Sequence, residues 1–411
     1  MKVVVDTNMV SPHTAPLALA LAKLCGGGEI AYVVHEAAQE PFRTSAVYPL
    51  VKDIIYDATA DDGGANKDIQ EADVVMENRR NFELMERRVL DNRPTFYVSE
   101  RWFKPIDILH LFDMEHAGGK SLWVSGFLRM LLPFGWRRAK RILKLLSQGE
   151  NFFYLAIGIH AARDMARLCG LLHGDLRCLI RSPELDYERR PGGKVWLKNK
   201  GDDKKYCLDK MRIWGYFVAP SEHGMLQVRK MSDPPSECRI LWVGRLVSWK
   251  RVDTIVRAVG EHADIKHADG QLAVITLDVY GSGKDESRLR RVAARYGALV
   301  KFHPSVPLAD IRKLMHEYDI LVLSSNEFEG WGAVVNEALE EGMKVIGTYE
   351  AGSSATILPE ENLYHAGDWK RLQSLIERGV ADVRIGKWTA AYAAQAVLDL
   401  SKGRNGTNVC C

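Results

Sequence analysis

The 411-residue sequence is poor in the features that mark several large protein classes. Its seven cysteines are scattered, with no C-x-x-C pair and no Cys/His ligand spacing, which excludes a disulfide framework and implies reduced thiols. No run of 18 uninterrupted apolar residues occurs, so no membrane-spanning helix is expected. The start, MKVVVDTNMV, reads as a buried strand and not as a signal peptide. A net charge of +3 is close to balance, which argues against a nucleic-acid partner for the whole molecule. There is no G-x-G-x-x-G after the first strand, and no Asp-x-Asp metal motif. GSGKD at 281–285 fails as a phosphate-binding P-loop, because Asp278 stands at its first glycine position and Asp285 at its Ser/Thr position.

With 46% hydrophobic and 27% charged residues, the chain has the composition of a globular protein, and its length predicts two domains. Its organising stretch is 319–348, DILVLSSNEFEGWGAVVNEALEEGMKVIGT. The apolar run at 320–323 predicts a strand buried on both faces. A polar loop then leads to Gly330-Trp331-Gly332 and a helix carrying Val334, Val335, Ala338 and Leu339 at helical spacing. Gly342 stops that helix and 344–347 resumes a strand. A glycine-rich loop opening onto a helix N-terminus suits a phosphate. Two carboxylates flank it, Glu329 in the loop and Glu337 in the helix.

This pair, with seven residues between the glutamates, resembles the E-x7-E motif of retaining glycosyltransferases of family 4. LWVGRLVSWKRVDTIVRAV (241–259) resembles that family's strand, Gly-Arg, loop, Lys and helix. DVYGSG (278–283) resembles its next strand and glycine turn, and the turn at His303, Pro304, Ser305 and Val306 resembles its base-binding turn. Together the motifs span about 240–358 in register. The resemblance implies the GT-B fold, an α/β architecture of two Rossmann-like domains with parallel sheets facing across a cleft. It also implies a metal-independent, retaining transfer of a hexose-type sugar from a nucleotide-sugar to a glycan or lipid-linked acceptor in bacterial surface polysaccharide assembly. No cofactor is expected beyond the donor itself. A GT-B nucleotide-sugar epimerase or phosphorylase, or a non-catalytic nucleotide-sugar-binding protein, is the alternative. The non-catalytic kind should lack Glu329 or the Arg245/Lys250 pair.

By the same resemblance, Arg245 and Lys250 meet the diphosphate whose charge grows as the glycosidic bond breaks, as a multi-donor fork and a point charge. Gly244, Gly281 and Gly283 shape the turns beside it, and Val306 lies by the nucleobase. Glu329 holds the donor sugar near the reacting carbon, and Glu337 accepts from the ribose hydroxyls. Backbone N–H groups of Trp331, Gly332 and Ala333 meet the distal phosphate. Trp331 stands where many members carry Phe. Glu327, Glu340 and Glu341 read as solvated charge.

The N-terminal domain is expected over 1–235, with a charged, Pro- and Gly-containing insertion at about 171–210. Strands are predicted at 2–5, 73–76 and 95–98, helices at about 16–24 and 79–93, and a polar connection at 61–67. His13 lies in the loop at the carboxyl end of the first strand, where ligands of open α/β sheets bind. Its other reading is an idle loop histidine. In SERWFKP (99–105), which resembles an element of bacterial polysaccharide glycosyltransferases, Glu100 or Arg101 faces the cleft or forms a structural ion pair. These three are the acceptor-side candidates. Residues 117–149 hold seven basic and no acidic residues, interleaved with Trp123, Phe127, Phe134 and Trp136. Pro133 and Gly135 should divide this segment, and 120–146 reads either as a surface that touches an anionic membrane or as two ordinary amphipathic helices with one solvated face. Pro234-Pro235 marks the boundary, 236–388 forms the nucleotide-sugar-binding domain, 389–400 a closing helix and 401–411 a polar tail. The expected location is cytoplasmic, peripheral on the inner face of the membrane.

Overall fold

The computed structural model describes residues 1–26, 28–36, 51–58, 62–79, 81–102, 133–179, 181–199, 201–221, 237–261, 265–266 and 272–403. The chain divides into two units, one of Met1–Phe217 with the chain from Ala390 onward, the other Val218–Thr389. That division falls ahead of Pro234-Pro235, which lies outside the described residues.

In the first unit the chain runs β1 (Val3–Thr7), α1 (Ala15–Leu24), β2 (Ile30–Val34), β3 (Ile55–Asp57), α2 (Asp62–Glu71), β4 (Val74–Glu77), α3 (Phe82–Leu90) and β5 (Thr95–Ser99). It continues through α4 (Pro133–Gln148), β6 (Phe152–Ile157), α5 (Gly158–Leu172), β7 (Leu185–Tyr187), β8 (Val195–Leu197) and β9 (Met211–Trp214). Seven strands form one sheet in the order β3-β2-β1-β4-β5-β6-β9, every neighbouring pair parallel. Parallel strands are covered on both faces, so β1 and β4 are buried at every position. The order reverses between β1 and β4, and this reversal makes a crevice at their carboxyl ends.

Two expectations change here. Residues 62–71 form a helix, not a polar connection. Gly63 and Gly64 weaken the helical signal, but Ala65 and Ile69, one turn apart, are buried against Val4, Val33 and Val75. Pro133 and Gly135 both sit in the first turn of α4, where proline is tolerated, so Gly135 breaks nothing. Of the insertion, 185–197 is an antiparallel ribbon of β7 and β8.

Arg88 on α3 is fully buried and donates to the carbonyls of Ile69, Gln70, Ala72 and Pro94 and to Thr95 Oγ1. Loss of hydration pulls its pKa down to about 10, so it stays charged at neutral pH. It thus fastens the end of α2 to the start of β5.

The second unit runs β10 (Glu237–Val243), α6 (Val252–Gly260), β11 (Ile265–Lys266), β12 (Leu272–Tyr280), α7 (Glu286–Ala293), β13 (Val300–His303), α8 (Leu308–Met315) and β14 (Ile320–Leu323). It continues through α9 (Val334–Glu340), β15 (Lys344–Thr348), α10 (Gly352–Ile357), β16 (Leu363–Tyr364) and α11 (Trp369–Arg378). Its parallel strands lie in the order β13-β12-β10-β14-β15-β16, and β11 adds antiparallel to β12. The order again reverses, between β10 and β14. Trp242, Ile255, Val259, Leu277, Val279, Ile320, Val322 and Leu372 lie in one apolar core around this sheet. The last helix, α12 (Ala390–Ser401), belongs to the first unit, where it packs on α1 and receives the ribbon's turn. A Cβ on Gly192 would lie 2.9 Å from the Ala396 methyl.

Replacing Arg88 by alanine leaves several buried carbonyls without a donor, each worth about 1–3 kcal/mol. The urea midpoint of the first unit should fall by the equivalent of about 3 kcal/mol or more. An unchanged midpoint would show that the guanidinium staple carries little of the stability.

Candidate functional site

In the second unit, β10 and β14 flank the reversal of strand order, and the loops after them carry the charged candidates. Gly244 and Arg245 follow β10 directly. The β10 loop is pressed against the turn after β12: Gly244 N–H donates to Tyr280 O, Leu246 N–H to Ser282 O, and Asp285 N–H to Leu246 O. A Cβ on Gly281 would stand 1.9 Å from Gly244 O, and one on Gly283 2.3 Å from Leu246 O. These glycines therefore permit two backbones to touch, which explains the GSGKD segment without any P-loop.

Arg245 is exposed, and its guanidinium makes no hydrogen bond or ion pair among the described residues. Lys250 stands half-buried before α6. Its Nζ pairs with Glu329 Oε2 and lies 4.7 Å from the centre of the Trp249 ring. Arg251 is engaged elsewhere, in a left-handed conformation with its guanidinium 3.3 Å from Asp253.

The loop after β14 is fixed by its own serines. Ser324 Oγ accepts from Trp242 Nε1 and donates to the Lys250 carbonyl at 2.6 Å. Ser325 Oγ donates to Glu329 Oε2 at 2.8 Å, and Asn326 N–H to Trp249 O. Thus Glu329, only 9% exposed, is carried to the lysine across the strand reversal. Gly332 adopts φ +88°, and a Cβ there would meet Leu323 Cδ2 at 2.8 Å, so no other residue fits. Among the described residues, no backbone carbonyl accepts from the Gly332 or Ala333 N–H. Trp331 is buried, its Nε1 bonded to Asn336 Oδ1 and its ring 5.9 Å from that of Trp388, so it offers only its backbone to a ligand. Glu337 lies in the first turn of α9 and is 5% exposed.

Beside these, His303 is bonded to Asp278 and stacked on Tyr280, ring centres 4.4 Å apart. Half-buried Val306 follows it. Glu341 is not solvated, contrary to expectation. It is buried between Arg312, His316 and the Ser221 hydroxyl, a set assembled from α8 and the chain near 221 that no local pattern announces.

The three acceptor-side candidates separate. His13 stacks on Tyr216, ring centres 5.7 Å apart, and lines a recess together with Asp6, Thr7, Thr14, Asn78 and Tyr216 at the carboxyl ends of the strands. Glu100 accepts from the Tyr216 hydroxyl at 2.6 Å. Burial and this carboxylate push the Tyr216 phenol well up. Arg101 instead forms a buried ion pair with Asp164 at 3.5 Å, its structural alternative. Local sequence patterns do not mark Tyr216, which lies two residues beyond β9, a strand far from β1 in the chain.

At the crevice itself lies a buried charge cluster that no motif marks. Asp6 and Glu77 are register neighbours on β1 and β4, both fully buried. His35 Nε2 bonds Asp6 Oδ1 at 2.7 Å, the Arg79 guanidinium lies 4.0 Å from Asp6, and Arg79 N–H donates to Glu77. Burial first, and then the adjacent Asp6 carboxylate, raise the Glu77 pKa well above its ordinary 4.5.

With this geometry established, the architecture is that of the GT-B glycosyltransferases. Residues 228–385 match the family described as "Glycosyl transferases group 1". The chain is 30% identical over 125 residues to the GtfA subunit of the UDP-N-acetylglucosamine–peptide N-acetylglucosaminyltransferase of Streptococcus gordonii, covering 29% of this chain and 22% of that protein. The corresponding subunit of Limosilactobacillus reuteri is 25% identical over 157 residues, 37% of this chain and 28% of that one. The matched segment thus spans about a quarter of these relatives' length. Among solved structures, the UDP complex of Anabaena HepE superposes with a TM-score of 0.53 at 14% identity, covering 98% of this chain and 95% of that one. The lipopolysaccharide outer core galactosyltransferase WaaB does so with a TM-score of 0.57 at 11% identity, covering 98% and 100%. At such identities the likeness establishes the fold alone, and the stretch that matches the family lies within the second unit.

Because the folded state raises the Glu77 pKa, its contribution is most favourable below about pH 4.5 and is lost as pH rises toward the folded value. Glu77→Gln removes that loss. The variant should be more stable than wild type at pH 8, by up to about 1.4 kcal/mol per pH unit crossed, and the gap should close toward pH 4.5. Urea midpoints at several pH values test this, and a pH-independent difference would rule it out.

Proposed function

We propose that this chain is a metal-independent, retaining glycosyltransferase of family 4. It moves a hexose-type sugar from a nucleotide-sugar donor to a glycan or lipid-linked acceptor during bacterial surface polysaccharide assembly. The observation that carries this reading is the pairing of Lys250 with Glu329 across the strand reversal of the second sheet, with Arg245 exposed on the same β10 loop and the glycine loop opening onto α9. Breaking a bond to a diphosphate leaving group needs fixed positive charge where negative charge grows. Arg245 supplies a fork that no side chain among the described residues engages and Lys250 a point charge, with the N–H groups of Gly332 and Ala333 as further donors. Glu329 provides the carboxylate that holds the donor sugar and stabilises an oxocarbenium-like transition state, and Glu337 holds the ribose. His303 to Val306 present the nucleobase turn. His13 and Glu100 remain the acceptor-side residues of this reading, while Arg101 is held in its ion pair with Asp164.

The relatives' names specify UDP-N-acetylglucosamine, and one structural neighbour was solved with UDP, so UDP-sugars are the donors to assay first. Calorimetric titration with UDP-, GDP- and ADP-sugars, followed by turnover of the best binder, tests the reading; binding without turnover would make the protein a sensor. Arg245→Ala should slow transfer about a hundredfold, the equivalent of about 3 kcal/mol in the transition state. Activity should survive EDTA. Unchanged turnover in the variant, or strict dependence on added Mg²⁺ or Mn²⁺, would refute the charge assignment.

Contact with an anionic membrane surface belongs to the same reading. No helix among the described residues is long and apolar enough to cross a membrane. Of the basic segment, 120–132 lies outside the described residues. On α4, Ala139, Ile142, Leu145 and Leu146 face the unit, while Arg137, Lys140 and Lys144 are exposed at helical spacing. Arg141 is taken up by Glu86 at 2.9 and 3.0 Å. The exposed stripe is therefore three cations, each worth about 1 kcal/mol near a negative leaflet. The variant R137Q/K140Q/K144Q should lose most co-sedimentation with anionic vesicles, whereas neutral vesicles should retain neither protein. Equal sedimentation of both proteins would reduce the stripe to a solvated helix face.

A further inference from the structure

Glu329 is held by two groups at one atom. Ser325 Oγ donates to its Oε2 at 2.8 Å, and Lys250 Nζ pairs with the same oxygen. Oε1 has no partner among the described residues. The two holders differ in kind. Lys250 carries a mobile charge on a flexible stem, half-buried before α6. Ser325 is fully buried just beyond β14, its carbonyl accepting from Thr348 Oγ1 at 2.6 Å, which ties it to the end of β15. Thr348 is in turn tied through its carbonyl to Ser354 Oγ at 2.6 Å.

An ammonium divides its attraction among the anions around it, and a diphosphate carries more charge than one carboxylate. If Lys250 serves the leaving group, it must slacken on Glu329 at the moment when Glu329 has to stay in place. A neutral buried hydroxyl has no such competing demand. Resting on the glycosyltransferase reading above, we propose that Ser325 is the positioning residue that anchors Glu329 through Oε2 when the donor's diphosphate draws Lys250 away. Oε1 then stays aimed at the donor sugar. Nothing in the motif itself assigns this role, since Ser325 lies four residues ahead of the glutamate, on the other side of a loop.

The test uses the full chain with UDP-glucose and UDP-N-acetylglucosamine as donor probes and UDP binding by calorimetry as the check of an intact site. Ser325→Ala should lower kcat about tenfold to thirtyfold and leave donor KM and UDP affinity within twofold. Ser325→Thr, which keeps the hydroxyl, should recover most of the turnover. Ser325→Cys, nearly isosteric but a weak donor, should not, and this pair carries the test if the alanine variant misfolds. The S325A/E329Q double variant should be no slower than E329Q alone, because a hydroxyl that acts only through the carboxylate has nothing left to position. Wild-type kcat in S325A, or losses that multiply in the double variant, would overturn the inference alone. A wild-type chain that turns over neither probe, or an E329Q variant as fast as wild type, would instead bring down the glycosyltransferase reading and this inference with it.

Discussion

The second unit depends on one close approach of backbone to backbone. Gly281 lies so near the Gly244 carbonyl that a methyl group would overlap it, and Gly283 stands in the same relation to Leu246. With both glycines present, the turns after β10 and β12 share hydrogen bonds at the carboxyl edge of the sheet. That contact sets the path of the β10 loop and, through it, the positions of Arg245 and Lys250. A phosphate-binding role need not be invoked to explain these glycines. Packing alone demands them, and the placement of charge follows from the packing.

A second set of ties crosses the strand reversal. Trp242, Ser324 and the Lys250 carbonyl form one chain of hydrogen bonds, and Asn326 binds Trp249. Buried hydroxyls of this kind are satisfied by backbone carbonyls, so they rigidify the loops without placing net charge in the core. In this arrangement Arg245 is exposed with no side-chain partner among the described residues, and Lys250 is committed to the carboxylate beside it. An anion that met Arg245 would displace no ion pair among the described residues.

The first unit repeats the same strand logic with different chemistry. Its sheet also reverses order, between β1 and β4, and there too the polar groups gather at the carboxyl ends. Here, however, two carboxyl groups are buried together with His35 and Arg79 nearby. Such a cluster costs stability when fully ionised, which is why the folded state favours a protonated Glu77. Tyr216 and His13 line the adjoining recess, and Glu100 accepts from the Tyr216 hydroxyl, each contributed by a different stretch of chain.

The amino-acid sequence alone determined much of the second unit. An apolar run, a glycine loop, a helix and a glycine stop are local signals, legible over a few residues, and the strand after them is equally plain. Glu329 and Glu337 stand out as candidates because their spacing lies within one such step. Other features depended on residues brought together from afar, and there local reading failed. Gly63 and Gly64 concealed α2, whose stability comes from burial of Ala65 and Ile69 against the sheet. Glu341 read as solvent-facing charge until α8 supplied Arg312 and His316. Arg101 had two readings until Asp164, on α5, chose one. Asp6 and Glu77 sit 71 residues apart, in two strands that look like ordinary core. Backbone preferences and apolar periodicity act between near neighbours, so the sequence displays them directly. The pairing of buried charges depends on which strands lie side by side, and only the tertiary structure decides that.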